Sequence, residues 1–339
     1  MIDSDQFRWS IIGHQNVVNY LQNCLKQGKI ASAYLFVGQK QLGKAKVAEE
    51  LAASLVCRNL HTKKGQIPCG ECDCCRQVQA GLHPDVYWVT RQNNEKGDKL
   101  KKNISIEQIR ELQNKLSLRS FLNSYKVAII DEAETLSQAA ANSLLKTLEE
   151  PTAKTVLMLL ATNIITIPKT IVSRCQLLKF LPVDNKDIFE YLLELKIERK
   201  KAKLFTALSY GRPGLAIAYS LNQELFREHE EKTKQFLGLI KLDISERFKL
   251  VSELIDSGDI DLFKADLLLW LRLIRDLILI KYSSNLISNL NLSSELAAIS
   301  DKYSSRQLIN FSNKINAAVR YLDSNVNPKL VLENLVLNF

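Results

Sequence analysis

The sequence of 339 residues has little glycine and little proline, 12 and 7 residues respectively, which excludes a collagen-like or low-complexity chain. It also lacks a long apolar run, because its most apolar stretch, 265–280, is interrupted by four charged residues. A membrane helix needs roughly 20 apolar residues in succession. The first residues show neither the basic start nor the apolar segment of a secretory signal. We therefore expect a cytoplasmic protein without a membrane span.

The composition that is present is typical of a globular protein. Apolar residues make up 46% of the chain and charged residues 24%, and the length suits two or three domains. Lysine and arginine number 46 against 37 aspartates and glutamates, which gives a net charge of +9. This excess favours either a polyanion such as nucleic acid as a neighbour or a solvated basic surface, and both interpretations stay open.

Short apolar runs alternate with helical patterns in the first half of the chain. This alternation predicts an α/β domain with a mostly parallel sheet covered by helices. The predicted strands are residues 33–37, 86–90, 126–130, 155–161 and 176–180. After Pro182 the strand-like runs stop and helical periodicity continues. We predict a sheet domain over residues 1–182, a small helical module over 183–222 and a third, all-α domain over 223–339.

A glycine-rich segment, residues 38–45, follows the first predicted strand and precedes a helical pattern. At such a turn, glycines let backbone N–H groups converge on phosphate oxygens, and a lysine neutralises phosphate charge. Gly38, Gly43 and Lys44 fit that spacing. Ala45, however, stands where a phosphate-binding loop carries the Ser or Thr hydroxyl that holds Mg²⁺. The segment predicts a degenerate nucleotide site, with binding of ATP and Mg²⁺ left open.

Asp131 and Glu132 follow the apolar strand 126–130 directly. In a working ATPase the first acid helps to hold Mg²⁺ and the second polarises the attacking water. Taken alone, two acids at the end of a strand are equally consistent with a simple strand cap. Together with the glycine-rich segment they favour a nucleotide-site ancestry. Because the hydroxyl at position 45 is missing, we expect the isolated chain to hydrolyse ATP negligibly.

Five of the seven cysteines lie within residues 57–75. Cys57, Cys69, Cys72 and Cys75 offer four thiolates for one tetrahedral Zn²⁺, and four sulfur ligands leave no open position for catalysis. Zinc is therefore predicted to be structural. The alternative is buried thiols without a metal. Cys74 competes with Cys75 as the fourth ligand, and the two-residue spacing favours Cys75 without deciding the matter.

Several motifs together resemble one known family, the bacterial DNA polymerase III clamp loader of the AAA+ superfamily, and within it the delta-prime subunits. The resemblance extends over most of the chain. The motifs that carry it are IIGH at 11–14, AYLFVG at 33–38, the cysteines of 57–75, HPD at 83–85, IEQIR at 106–110, DEAE at 131–134, AANSLLKTLEEP at 140–151, TN at 162–163, SRC at 173–175 and NVNP at 325–328.

This resemblance implies an AAA+ sheet domain with a zinc-binding insertion, a small helical lid and a helical collar through which subunits form a ring. It also implies a stator role, in which Arg174 is an arginine finger for the ATP site of a neighbouring gamma or tau subunit. Asn163 matches a sensor residue of the nucleotide site. The implied partners are gamma or tau, delta, the sliding clamp and primed DNA.

Two features bear on whether this chain is itself a motor. Gly214 stands where gamma and tau subunits carry a second sensor arginine, with Arg212 nearby. Asp131 and Glu132 are both retained, although many delta-prime chains have lost part of this pair. The alternatives to a non-hydrolysing subunit are therefore an active ATPase of the gamma or tau class and a zinc-dependent nucleic-acid-binding module.

Overall fold

The computed structural model describes residues 6–62, 65–94, 100–121, 124–240, 242, 245–247, 260–282, 286–324 and 326–337. It divides into two compact units. Unit 1 comprises Met1–Tyr191 with Gly211–Leu215, and unit 2 comprises Leu192–Tyr210 with Ala216–Phe339. The predicted three-domain division at 182 and 222 stays a prediction. No helix among the described residues combines the length and apolar character that crossing a bilayer requires.

A parallel sheet forms the centre of unit 1, as predicted. Its strands are β1 (Ala33–Val37), β2 (Val86–Val89), β3 (Lys126–Ile130), β4 (Thr155–Ala161) and β5 (Gln176–Lys179). They lie in the order β2-β3-β4-β1-β5, and every pair is parallel. The second and fifth strands end one residue earlier than predicted. Since the strands are parallel, the residues that follow β1, β3 and β4 meet at one edge of the sheet.

Helices cover both faces of this sheet. Those assigned to unit 1 or leading out of it are α1 (Gln15–Gln27), α2 (Lys44–Val56), α3 (Arg58–Thr62), α4 (Asp73–Gln79), α5 (Ile106–Ser117), α6 (Gln138–Glu149), α7 (Lys169–Val172) and α8 (Asn185–Glu194). The predicted capping box at the start of α5 is present, with the side chains of Ser105 and Gln108 satisfying each other's backbone N–H. Helix α6 ends two residues before Pro151, which cannot continue a helix.

The core of unit 1 is split by the sheet, because alternate strand residues point to opposite faces. Tyr34 and Phe36 of β1 pack with α1 and α2 on one face. Leu35 packs with α5 and α6 on the other. The central strands β3 and β4 are buried at every residue, as expected inside a parallel sheet, and β4 and residues 127–130 of β3 are almost wholly apolar in the sequence.

Unit 2 is helical throughout its described part. Its elements are α9 (Arg199–Ser209), α10 (Pro213–Leu221, which begins in unit 1), α11 (Gln223–Leu239), α12 (Ile260–Lys281), α13 (Ser293–Ser300), α14 (Ser305–Asp323) and α15 (Pro328–Leu337). Trp270 stacks on Phe236 in its apolar core. The buried carboxylate of Asp276 accepts hydrogen bonds from the backbone N–H of Ser288 and Asn289. Asn325 lies outside the described residues.

Candidate nucleotide cleft, exposed arginine and cysteine cluster

The glycine-rich loop connects β1 to α2, and its carbonyl oxygens are hydrogen-bonded by the lysine that follows it. The ammonium of Lys44 donates to the carbonyl oxygens of Gly38, at 2.5 Å, and Gln39, at 2.8 Å. Burial lowers the pKa of Lys44, while the negative charges of Asp131 and Glu134 oppose the shift. The lysine therefore directs two of its three N–H donors to carbonyls of its own loop.

Two further contacts close this loop. The backbone N–H of Gly214, in the first turn of α10, donates to the Gln41 carbonyl at 2.9 Å. The Nε2–H of His14 donates to the Leu42 carbonyl at 2.7 Å. A Cβ at position 214 would lie 2.9 Å from the Gln41 oxygen, closer than non-bonded atoms approach. An arginine therefore cannot stand at position 214 unless the loop moves.

A cleft of about 370 Å³ opens beside the loop, within the size range of ligand pockets. Among the predicted residues, Gly43, Lys44, Asp131 and Glu132 line it, and so does Ala45. Gly38 contributes a carbonyl to Lys44 without lining the cleft. The cleft thus brings together the two halves of the nucleotide site that the sequence predicted. The complete lining is Lys40, Gln41, Gly43, Lys44, Ala45, Lys46, Asp131, Glu132, Glu134, Leu160, Ala161, Thr162 and Gly214.

Glu132 is engaged by two cations. Its carboxylate lies 2.6 Å from the ammonium of Lys40 and 2.7 Å from Nε of Arg91. Burial acts to raise the pKa of Glu132, but these two partners lower it below its usual value. For Asp131 burial prevails and raises the pKa. A carboxylate held by two cations is a poor acceptor for the proton of an attacking water.

Thr162 and Asn163, which follow β4, differ in where their side chains lie. Asn163 is exposed, and its side-chain oxygen accepts from the backbone N–H of Ile165 at 3.0 Å, so it lies outside the cleft lining. Thr162 lines the cleft, and its hydroxyl donates to Glu134 at 2.6 Å. A side chain that caps a short turn has the same sequence signature as one that faces a ligand.

Arg174 lies on the surface of unit 1, between α7 and β5, with its side chain 35% exposed. One terminal nitrogen, Nη2, lies 2.6 Å from the carboxylate of Glu149, the last residue of α6. The other, Nη1, donates to the Thr170 carbonyl at 2.9 Å. The guanidinium is thus ordered by its own chain at a point where a second protein can reach it.

The sulfur atoms of Cys57, Cys69, Cys72 and Cys75 all lie within 4.8 Å of one another. Backbone N–H groups of Cys69, Cys72 and Cys75 each donate to another sulfur of the set, at 3.3–3.5 Å. Four sulfurs on a tetrahedral Zn²⁺ would be about 3.8 Å apart, from a Zn–S bond of about 2.3 Å. The distance between the Cys69 and Cys75 sulfurs is 3.9 Å, so the four residues fit zinc.

The cluster is also electronically suited to a metal. A hydrogen bond from the Cys75 thiol lowers the pKa of Cys57 to about 5 and raises the pKa of Cys75. This hydrogen bond favours the thiolate of Cys57, the form in which cysteine binds metals. Cys74 belongs to a different environment, because it packs in the apolar core with 2% of its surface exposed. Burial raises its pKa.

Comparison with known proteins decides the family. Residues 13–184, half of the chain, match the family described as "DNA polymerase III, delta subunit". The chain belongs to the bacterial clamp-loader family of AAA+ proteins. The cleft, the exposed arginine and the cysteine cluster lie within the matched segment, apart from the Gly214 contribution.

Individual clamp-loader relatives span more than one subunit type. The chain is 34% identical to the DNA polymerase III subunit delta' of Bacillus subtilis over 64% of its own length and 61% of that protein. It is 34% identical to the subunit gamma of Buchnera aphidicola over 57% of its length and 50% of that protein. The chain therefore spans little more than half the length of these relatives. A solved gamma subunit-related protein from Thermotoga maritima superposes with a TM-score of 0.44 at 18% identity, covering 94% of this chain and 97% of that one.

Sequence reasoning did not find Lys40, Arg91 and Glu134. Lys40 was visible inside the glycine-rich segment, but nothing in its position distinguishes a lysine that binds Glu132 from one that faces solvent. Arg91 lies 41 residues before Glu132 and is brought to it only because β2 and β3 pair in parallel.

Proposed function

We propose that this clamp-loader subunit has the delta-prime, or stator, role. In this role it helps to load the sliding clamp on primed DNA and supplies Arg174 to the ATP site of a neighbouring gamma or tau subunit. The observation that carries the proposal is the cleft, in which Ala45 occupies the position of the metal-binding hydroxyl while Lys44 donates to loop carbonyls. A subunit with such a cleft contributes to ATP hydrolysis chiefly through the arginine that it supplies to the site of a neighbouring subunit.

The arginine suits that task chemically. A guanidinium is planar and permanently charged, so it can neutralise charge that develops on a transferring phosphoryl group. Arg174 is exposed in the Ser-Arg-Cys motif, two residues after the end of the short helix α7, and its backbone N–H donates to the Ile171 carbonyl at 3.1 Å. We propose further that residues 183–222 form the lid and 223–339 the collar of a hetero-oligomeric ring with gamma or tau and delta.

Zinc is the proposed occupant of the cysteine cluster. Cys57 directly follows α2, and Cys72 and Cys75 stand at the start of α4. When bound, Zn²⁺ would supply four bonds that tie these helices together, with no open position for catalysis. Gly65 and Gly70, at positive φ, allow the tight path of the connection. The proposed zinc site is thus a structural cross-link between α2 and α4 of the sheet domain.

The first prediction concerns the purified chain by itself. With Mg²⁺ and ATP we expect no phosphate release above background, because position 45 offers no oxygen to Mg²⁺ and Glu132 is held by Lys40 and Arg91. The measurement is steady-state phosphate release, with Lys44→Ala as the control for contaminating ATPase. Robust turnover that Lys44→Ala abolishes would contradict the proposal and favour the motor class.

The motor alternative has one specific observation in its favour, because Lys44, Asp131 and Glu132 all line the cleft. The variant Ala45→Thr separates the two roles, since it restores the hydroxyl and leaves the other groups unchanged. If the chain is a stator, the Ala45→Thr variant still does not hydrolyse ATP, because Glu132 stays paired with two cations and position 214 still lacks an arginine. A motor that lacked only the hydroxyl would gain turnover.

An apolar surface supports a protein partner such as the sliding clamp. Leu118 and Phe121, which follow α5, are 66% and 80% exposed. Two buried charged residues hold this segment: both carboxylate oxygens of Asp85 accept from the Phe121 N–H, and Lys126 donates to the Leu118 carbonyl at 2.7 Å. Buried charges that order an exposed apolar segment suit a surface that binds a rigid partner.

The second prediction tests that surface. We expect Phe121→Ser to weaken binding of the assembled complex to the clamp by about tenfold or more, the effect of losing an apolar anchor at an interface. Binding is measured by surface plasmon resonance on immobilised clamp. Leu82→Ser is the matched control, because Leu82 is 76% exposed but lies outside the segment. Equal affinities for the two variants would remove this surface from the proposal.

A further inference from the structure

We propose that Glu149 is a positioning residue that controls how readily Arg174 reaches a neighbour's nucleotide. In the resting chain its carboxylate holds and neutralises the guanidinium, and the phosphates of the neighbour's ATP must displace it. This inference rests on the proposed role of Arg174 as a finger. It adds a second residue to that role.

Both terminal nitrogens of the Arg174 guanidinium already have partners within the chain. Glu149 Oε1 lies 2.6 Å from Nη2 of Arg174, a short distance typical of charge-assisted bonds. Nη1 donates to the Thr170 carbonyl at 2.9 Å, so both ends of the fork have partners in the same chain. A phosphate that approaches this fork therefore meets donors that are already in use, with an opposing negative charge beside them.

The position of Glu149 is unusual for a helix. It is the last residue of α6, where the exposed carbonyls repel a carboxylate and favour a cation such as Lys146, one turn earlier. The acid therefore does not stabilise the helix by itself, and its contribution comes from Arg174. The adjacent Glu150 is exposed too, yet it forms no ion pair with any of the described residues. The two acids are thus both exposed carboxylates and differ in their partner.

The strength of the pair suits a contact that must open. The Glu149 side chain is 50% exposed, and exposed ion pairs shift an equilibrium by at most about fivefold. A triphosphate carries several negative charges and offers a bidentate match to the guanidinium, so it can outcompete a single carboxylate. The ion pair therefore orders the Arg174 side chain while no nucleotide is bound to it. Breaking the pair costs little free energy when Arg174 binds the neighbour's phosphates.

The experiment uses the assembled complex with active gamma or tau subunits. We expect Glu149→Gln to raise kcat/KM for ATP by about two- to fivefold, because the competing charge is gone. Glu150→Gln, which removes the same charge one residue away, leaves kcat/KM unchanged. A rise is informative because damage to the fold lowers activity.

A double-mutant cycle with Arg174→Ala completes the test. In the Arg174→Ala background, Glu149→Gln has no effect if it acts through the arginine. A lowered or unchanged kcat/KM for Glu149→Gln, or a rise that persists without Arg174, would overturn the inference and leave the finger assignment standing. A complex in which Arg174→Ala alone has no effect would instead overturn the finger and the inference with it.

Discussion

Replacing Arg174 with alanine is expected to lower the DNA-dependent ATPase of the assembled complex more than any other single change in this chain. Loss of an arginine supplied in trans costs about 10³ to 10⁵ in rate at the site it serves. Sites that keep their own arginine dilute the loss in the complex as a whole. The guanidinium is exposed and its ion pair with Glu149 is half in solvent, so the fold should tolerate the change.

The measurement compares ATP turnover of complexes that contain the wild-type or variant chain, with assembly checked by gel filtration. Lys169→Ala is the matched control, because Lys169 is an exposed cation at the start of α7, five residues before Arg174. Arg174→Lys is expected to recover only part of the activity, since an ammonium lacks the planar fork. Wild-type turnover by an assembled Arg174→Ala complex would defeat the assignment.

Replacing Cys69, one of the four proposed zinc ligands, is expected to have the second largest effect. We expect about one zinc per chain, and Cys69→Ser should lose it, because a serine hydroxyl is a poor substitute for a thiolate. Structural zinc sites contribute apparent binding free energies of about 10 to 16 kcal/mol in small zinc-finger peptides, so loss of zinc should unfold at least the connection between α2 and α4.

Elemental analysis and thermal unfolding measure this effect. Cys74→Ser is the discriminating control, because Cys74 lies in the apolar core and not in the cluster. It is expected to lower the unfolding temperature while keeping the zinc. Substoichiometric zinc in the wild type, or full zinc content in Cys69→Ser, would contradict the site.

The central strands β3 and β4 were predictable because they are buried on both sides. Runs such as Val127 to Ile130 are apolar without interruption, and neighbouring turns mark their ends. The errors were confined to the last residue of β2 and of β5: Thr90 and Phe180 lie just outside the strands, although the Phe180 N–H still donates to the Val37 carbonyl at 2.7 Å. The three-domain division stays a prediction, and residues of helices α8 and α10 are each assigned to both compact units.

The candidate site was predictable where its residues adjoin a strand or share a short spacing. Lys44, Asp131 and the four cysteines are of this kind. The partners of these residues were not predictable. The carbonyls that bind Lys44, the two cations on Glu132 and the carboxylate on Arg174 depend on rotamers and on contacts between distant segments.

The amino-acid sequence alone determined which chemical groups this protein has and lacks. A missing hydroxyl at position 45 and a set of closely spaced thiols are covalent facts, and the helical apolar patterns follow from local backbone geometry. Only the tertiary structure decided how those groups are engaged. Whether Glu132 is available to water, or Arg174 to a neighbour, depends on side chains tens of residues away that the folding of the sheet brings within hydrogen-bonding distance.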